Sequence, residues 1–385
     1  MIKTFLYCLI GALAMAPATA QSNSPRELGM GGTAIASADY LSAGFTNPAL
    51  LTNYSAEKDD DWGIVVPNIG LSLNDRDDLA DAIDNFNNTF DLLSAGLGTV
   101  DDLSALADSL TALGDKHFSV GVGSGMAIAI PSESFNAALV INTTVEGGGF
   151  MDIDPNDIAL INGSFGGGIP AIGSSAVLLA SFRTEVGFAM AKEFEIGKRT
   201  FSFGITPKIQ NIEILDLVVA ADDSLDLGGR IDNENRFTDD NFNIDLGATT
   251  MLNDNVRVGL AARNMMGGTF AGLTGLYNYK LNPTLSTGIA YTNGPITLAA
   301  DLDLTSTTRF QEITADDSQY LRIGAETSWE WAQLRAGYII DLEDNYANMA
   351  TAGLGFSPFG VMHLDLAGAV GENSYGGAFS LSFTF

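Results

Sequence analysis

The sequence predicts an all-β membrane protein, a 14-stranded antiparallel outer-membrane β-barrel with a helical insert between its first two strands. Three observations carry this reading. The chain opens with an export leader. From Trp62 onward it repeats stretches of about ten residues in which apolar residues alternate with small or polar ones. The connections between those stretches are short and long by turns.

The leader occupies residues 1–20. Lys3 supplies a positive start, Phe5 to Met15 an apolar run, and Ala18-Thr19-Ala20 a small-residue cleavage site, so the mature chain is expected to begin at Gln21. The apolar run is too short to cross a bilayer as a helix. Cys8 is the single cysteine. Tyr7 directly before it and the short run upstream argue against a lipid anchor there. A mature chain without cysteine has no disulfides, and a closed hydrogen-bonded sheet is one alternative source of stability. The chain carries 18 Lys and Arg against 47 Asp and Glu, a net charge of −29. That excludes a nucleic-acid partner, which requires basic surface.

The strands are expected near 62–73, 117–130, 135–148, 174–194, 199–218, 240–252, 255–264, 282–292, 295–306, 319–330, 332–342, 348–356, 361–370 and 375–385. The last shows the pattern best. Phe379, Leu381, Phe383 and Phe385 share one parity, and Ala378, Ser380, Ser382 and Thr384 the other. Ile296, Leu298, Ala300, Leu302 and Leu304 likewise oppose Thr297, Asp301 and Asp303. A terminal aromatic such as Phe385 resembles the signal by which bacterial outer-membrane barrels reach their assembly machinery. Short turns fall at 131–134, 195–198, 253–254, 293–294, Trp331 and 357–360. Barrels of this class keep short turns on the periplasmic side and place longer loops outside, with an even strand count. Phe194, Tyr291, Trp329, Trp331, Phe356 and Phe385 cluster at the short-turn end, where an interfacial girdle belongs.

The first long connection has helical spacing. Leu79, Ile83, Phe86, Phe90 and Leu93 recur on one face, and Thr99-Val100-Asp101-Asp102 reads as a capping box ahead of Leu103, Leu106, Leu110 and Leu113. Residues 75–115 are therefore expected to form an external helical hairpin broken at 94–98. Its apolar faces should pack on each other or cap the barrel mouth.

Between leader and barrel, residues 21–61 hold GMGGTAIASADYLSAGFTNPALLT, with neither strand alternation nor a helical stripe. This stretch is similar to the N-terminal segment of the FadL-type outer-membrane transporters of hydrophobic compounds, in which a Gly-rich start leads to an Asn-Pro-Ala motif. It most resembles the FadL-like branch named for the conjugal transfer protein TraF, through its Leu-Gly-Met-Gly-Gly start and Asn-Pro-Ala-Leu-Leu end. The resemblance implies that the segment folds into the lumen of the 62–385 barrel as a hatch. Its motif residues are Gly29, Gly31, Gly32, Asn47, Pro48 and Ala49. A barrel this wide is not filled by its own side chains, so a plug is physically reasonable.

Six basic residues fall on the expected inward face: Arg183, Lys208, Arg257, Arg263, Arg322 and Arg335. Inward acids are Glu185, Asp245, Asp301, Asp303, Glu326, Glu330, Asp341 and Asp365. Buried charges must pair or be hydrated, so these residues either form cross-lumen salt bridges or offer a site for an anionic headgroup. Gly147, Gly148 and Gly149 lie at the outer end of strand three. The resemblance implies a kink there that opens the wall laterally; the plainer reading is a flexible loop start. His363 and Asp365 share a face, but no motif marks a nucleophilic serine, so no catalytic residue is expected. Asp152, Asp154 and Asp157 lack the glycine and distal Glu of a calcium loop, so neither metal nor cofactor is expected.

The expected function is a hatch-gated passive channel for small hydrophobic or amphipathic compounds in the outer membrane of a Gram-negative bacterium. The alternative is a structural or assembly protein of conjugal transfer with no transport role. Expected partners are outer-membrane lipid and lipopolysaccharide, the barrel-assembly machinery and a small hydrophobic ligand, with the barrel a monomer.

Overall fold

The structure is a computed structural model that describes residues 24–54, 62–114, 116–130, 132, 136–164, 170–220, 236–310 and 316–385. The leader and its cleavage site lie outside the described residues. Fourteen strands close one antiparallel barrel: β1 (Gly63–Asn74), β2 (His117–Ile130), β3 (Asn136–Asp152), β4 (Ser175–Ile196), β5 (Arg199–Ala220), β6 (Arg236–Asn253), β7 (Val256–Arg263), β10 (Thr284–Asn293), β11 (Ile296–Asp303), β12 (Tyr320–Ser328), β13 (Ala332–Asp341), β14 (Met349–Phe356), β15 (Met362–Gly371) and β16 (Ser374–Thr384). The interruption in numbering is a two-stranded hairpin, β8 (Gly268–Ala271) and β9 (Asn278–Leu281), in the loop between β7 and β10. Closure joins β1 to β16. It is finished by reciprocal backbone bonds between Trp62 and Phe385, whose rings stack 4.4 Å apart. A closed sheet leaves no edge unpaired, which a bilayer demands.

Alternation sets the two faces as expected. On β4, Val186 and Phe188 point outward and are exposed, while Arg183 and Glu185 point inward and are buried. Glu330 departs from expectation. Strand β12 ends at Ser328, so Glu330 lies in the exposed 329–331 turn and not on the inward face.

The insert is a pair of helices, α3 (Leu79–Ser94) and α4 (Val100–Leu113). The helices numbered before them, α1 (Pro25–Gly29) and α2 (Ala43–Thr46), belong to the N-terminal segment. Thr99 and Asp102 form the capping box of α4. The insert does not cap the mouth. Its apolar face packs with Ile161 of a fifth helix, α5 (Pro155–Gly163), onto Phe118, Val120, Val122, Val145, Met151 and Leu178. These residues share parity with the exposed Met126, Ile128, Leu139, Ile141 and Phe188. The insert therefore covers the outside of the wall over β2 to β4. The expected contact between α3 and α4 is present as well.

Asp152 is exposed at the end of β3, whereas Asp154 and Asp157 are held by hydrogen bonds. Asp154 caps α5, and the buried Asp157 carboxylate accepts from Gly173 N–H, Ser174 N–H and Ser174 Oγ–H at 2.6–2.9 Å. At the opposite end of the barrel from the short turns, the β8–β9 hairpin folds into the lumen. Phe270, Tyr279 and Leu281 pack there with Phe310 on the inward-facing Val177, Leu179, Ile212 and Ile214.

Candidate functional site

The N-terminal segment lies inside the barrel. Its small residues explain how. Ala34, Ala38, Ala43, Leu50 and Leu51 pack on Val65, Ala127, Ala129, Ala138, Val140, Ala189 and Ala191 of the wall, with little side chain on either side. The wall is recessed to receive the backbone. Gly204, Gly247, Gly259, Gly288, Gly324, Gly337 and Gly353 face inward from seven strands, and each lies against the segment. A β-carbon at Gly353 would stand 3.0 Å from Gly29 Cα, one at Gly324 2.7 Å from Met30 C, and one at Gly247 2.8 Å from Ala49 N. Contacts that short force backbone to move. Gly31 and Gly32 take φ of +67° and +81°, which only glycine adopts readily, so the segment turns beside Arg322 without strain.

Asn47 is the knot of the motif. It is fully buried. Its Nδ2 donates to Ile35 O at 2.7 Å, and its Oδ1 accepts from Ala49 N–H at 3.2 Å, capping the 3-10 turn Pro48–Thr52. Polar ties then fix the segment to the wall. Asp301 accepts from Ala34 N–H and Ile35 N–H at 2.6 and 2.8 Å. Thr351 Oγ1 accepts from Gly31 N–H and donates to Gly29 O. Arg26 holds Glu326 through two nitrogens and donates to Ser37 O.

The lumen charges are mostly spent on one another. Arg183 lies 3.0 Å from Glu185 and 2.9 Å from Tyr279 Oη; Lys208 lies 2.9 Å from Asp245 and 3.4 Å from Glu185. Arg322 grips both oxygens of Asp303 at 2.9 Å, and Arg335 joins Glu326 to Asp365. Two of the six basic residues stand apart. Arg257 donates to Asn53 of the N-terminal segment at 2.8 Å. Arg263 borders the lumenal cavity, and its Nε is buried without a hydrogen-bond partner. Arg309, on the loop after β11, was not among the expected residues. It pairs with Glu146 and Asp316. Burial alone would lower its pKa, but those carboxylates beside it raise it well above the ordinary value.

Above the N-terminal segment lies a cavity of about 210 Å³, floored by Leu28, Ala34 and Ile35 and walled by Phe310, Leu179, Met349 and the ion pairs. It is large enough for a small organic molecule and closed on the short-turn side by the segment. Gly147, Gly148 and Gly149 border it without opening the wall. They pair in unbroken register with β2 and β4, and the Phe118 ring fills the space above Gly149. All three glycines lie within β3 and not at the start of a loop, so the loop-start reading does not hold. His363 contacts Ser357 and Thr384, while Asp365 serves Arg335, so the two make no relay. No group of metal-ligating side chains occurs among the described residues.

A family described as "F plasmid transfer operon, TraF, protein" matches residues 44–303. No curated protein matches. Among solved structures, the P. putida toluene transporter TodX is 13% identical at a TM-score of 0.53, over 95% of this chain and 99% of that one. A Pseudomonas aeruginosa FadL homologue is 14% identical at 0.50, over 94% and 98%. The CymD monoaromatic hydrocarbon channel is 12% identical at 0.50, over 94% and 97%. At these identities the likeness concerns the fold.

Proposed function

We propose that this chain, which belongs to the TraF family of the F plasmid transfer operon, forms a FadL-type outer-membrane channel for small hydrophobic or amphipathic compounds, gated by its N-terminal hatch. The observation that carries this reading is the cavity above residues 24–53, part apolar and part ion-paired, with the hatch as its floor. TodX and CymD share the fold, and their names state hydrocarbon transport. The paired lumen narrows the substrate. With most cations committed to acids, a neutral or weakly polar molecule fits better than a carboxylate needing a free arginine cluster. A second reading rests on the family description, a structural or assembly role in plasmid transfer, in which the ion pairs and glycine seat simply seal the barrel.

Mass spectrometry of small molecules extracted from the mildly purified, folded barrel separates the two. A stoichiometric apolar or amphipathic ligand, lost when Ile35 at the cavity floor is changed to Asp, supports the channel. A barrel with intact heat-modifiable migration and no such ligand supports the sealed alternative.

A further inference from the structure

We propose that the helical insert α3–α4 is a membrane-interface element whose tip, Leu92, Leu97 and Val100, docks into the outer-leaflet lipid. The argument begins with the outer face of the wall. Along the hydrogen-bonding direction, Met126, Ile141, Val186, Ile209 and Phe242 form an apolar row on β2 to β6. The next row toward the loops is polar: Ser124, Thr143, Thr184, Asn211 and Asp240. Thr143 and Thr184 approach within 3.3 Å, and Asn211 donates to Asp240 at 2.9 Å. Such a row suits a level where lipid gives way to headgroups and water.

Beyond it the face turns apolar again at Val122, Val145 and Phe182, and here the insert covers it. Val122 lies eight residues from the short-turn end of β2 at Ile130. At ~3.3 Å per residue and a ~40° tilt, that is roughly 20 Å of height. The apolar band of such barrels is about 25 Å tall. The lower border of the insert therefore lies at the level of the lipid boundary, one polar row above the apolar rows of the wall.

The tip of the hairpin is apolar and bare. Leu97 is 73% exposed, Val100 57% and Leu92 39%. Three large apolar side chains within nine residues of a surface loop are costly in water and favoured at a bilayer interface. From Leu79 to Leu113 the insert holds no Lys or Arg. That disfavours any anionic partner, so the contact made by the tip is an apolar one.

The test uses the full barrel in a Cys8→Ser background, with a fluorophore on one introduced cysteine at a time, reconstituted in vesicles of phosphatidylcholine brominated on its acyl chains. Ile128→Cys, on the lipid-facing wall, is the immersed reference. Leu276→Cys, 63% exposed on the lumenal hairpin, is the aqueous reference. Leu97→Cys and Val100→Cys should be quenched by the brominated lipid and shielded from aqueous iodide, as Ile128→Cys is. Heat-modifiable migration verifies that each variant is folded. Two tip probes that both follow Leu276→Cys, open to iodide and untouched by brominated lipid, overturn the proposal, because the tip then faces water or another partner.

Discussion

Substituting a wall glycine tests how the lumen holds its hatch. At Gly247 an alanine β-carbon would stand 2.8 Å from Ala49 N and 3.0 Å from Pro48 Cδ, and would collide with Asn47 Oδ1. Ala49 N is backbone, Pro48 Cδ belongs to a closed ring and the Asn47 amide is held by two hydrogen bonds, so the Asn47–Ala49 turn must shift. Overpacking of this kind costs about 1–3 kcal/mol. If Asn47 moves, its two hydrogen bonds are lost as well, at about 1 kcal/mol each. Gly247→Ala should then cost about 3–5 kcal/mol. The control is Gly368→Ala, the same change on an outward position of β15, where the new β-carbon meets nothing nearer than Gly376 O at 3.9 Å. Guanidinium unfolding in lipid vesicles, followed by tryptophan emission, reads the difference, and planar-bilayer conductance reads whether the hatch has left its seat. The account expects a lower midpoint and raised conductance for Gly247→Ala alone. Two variants with the same midpoint and the same conductance would refute the idea that the glycine belt is the hatch seat.

Further expectations follow from other contacts. Arg26→Ala removes one of two arginines from Glu326, so it should destabilise by about 1–3 kcal/mol, less than the roughly 3–5 kcal/mol of a buried charge left wholly unpaired, by the same unfolding assay. Phe118→Ala should cost about 3 kcal/mol and free the insert locally, so limited proteolysis should cut within 79–113 while the barrel keeps its heat-modifiable migration. Burial would raise the pKa of Asp157, but the bonds from Ser174 and Gly173 outweigh it and hold it below the ordinary carboxylate range. Its contribution is therefore present above about pH 4 and lost as pH falls through the depressed value. Hydrogen exchange in 155–164 and 170–174 should rise below that pH in the native protein, and Asp157→Asn should already show the raised exchange at neutral pH.

Much of the barrel was legible because each strand has one face in lipid and one in a charged lumen, which makes the period of two unmistakable at Ile296–Leu304 or Ala378–Phe385. What neighbours a face was less legible. Phe118, Val120 and Val122 carry the same alternation as Met126 and Ile128, yet helices cover the first three and the last two are exposed. Alternation reports an apolar neighbour and not which one. Hairpin β8–β9 was missed because four-residue strands are too short to show a period. The seven wall glycines carry no local signal of their role, since it depends on a segment far away in sequence. Gly147-Gly148-Gly149 illustrates the reverse: the sequence suits a loop start, but two ladders pair all three within β3.

Hatch movement is the most direct point of test. In Gly44→Cys with Ala189→Cys, made in the Cys8→Ser background, the facing β-carbons stand about 3.6 Å apart, within disulfide spacing, and only a Val140 methyl must give way. Uptake of a small radiolabelled hydrophobic compound that the unsubstituted barrel takes up, into cells carrying this variant oxidised and then reduced, isolates motion of the segment against the wall. The account expects uptake to stop on oxidation and return on reduction. Equal uptake in both states, with the cross-link verified by mass spectrometry, would contradict hatch gating.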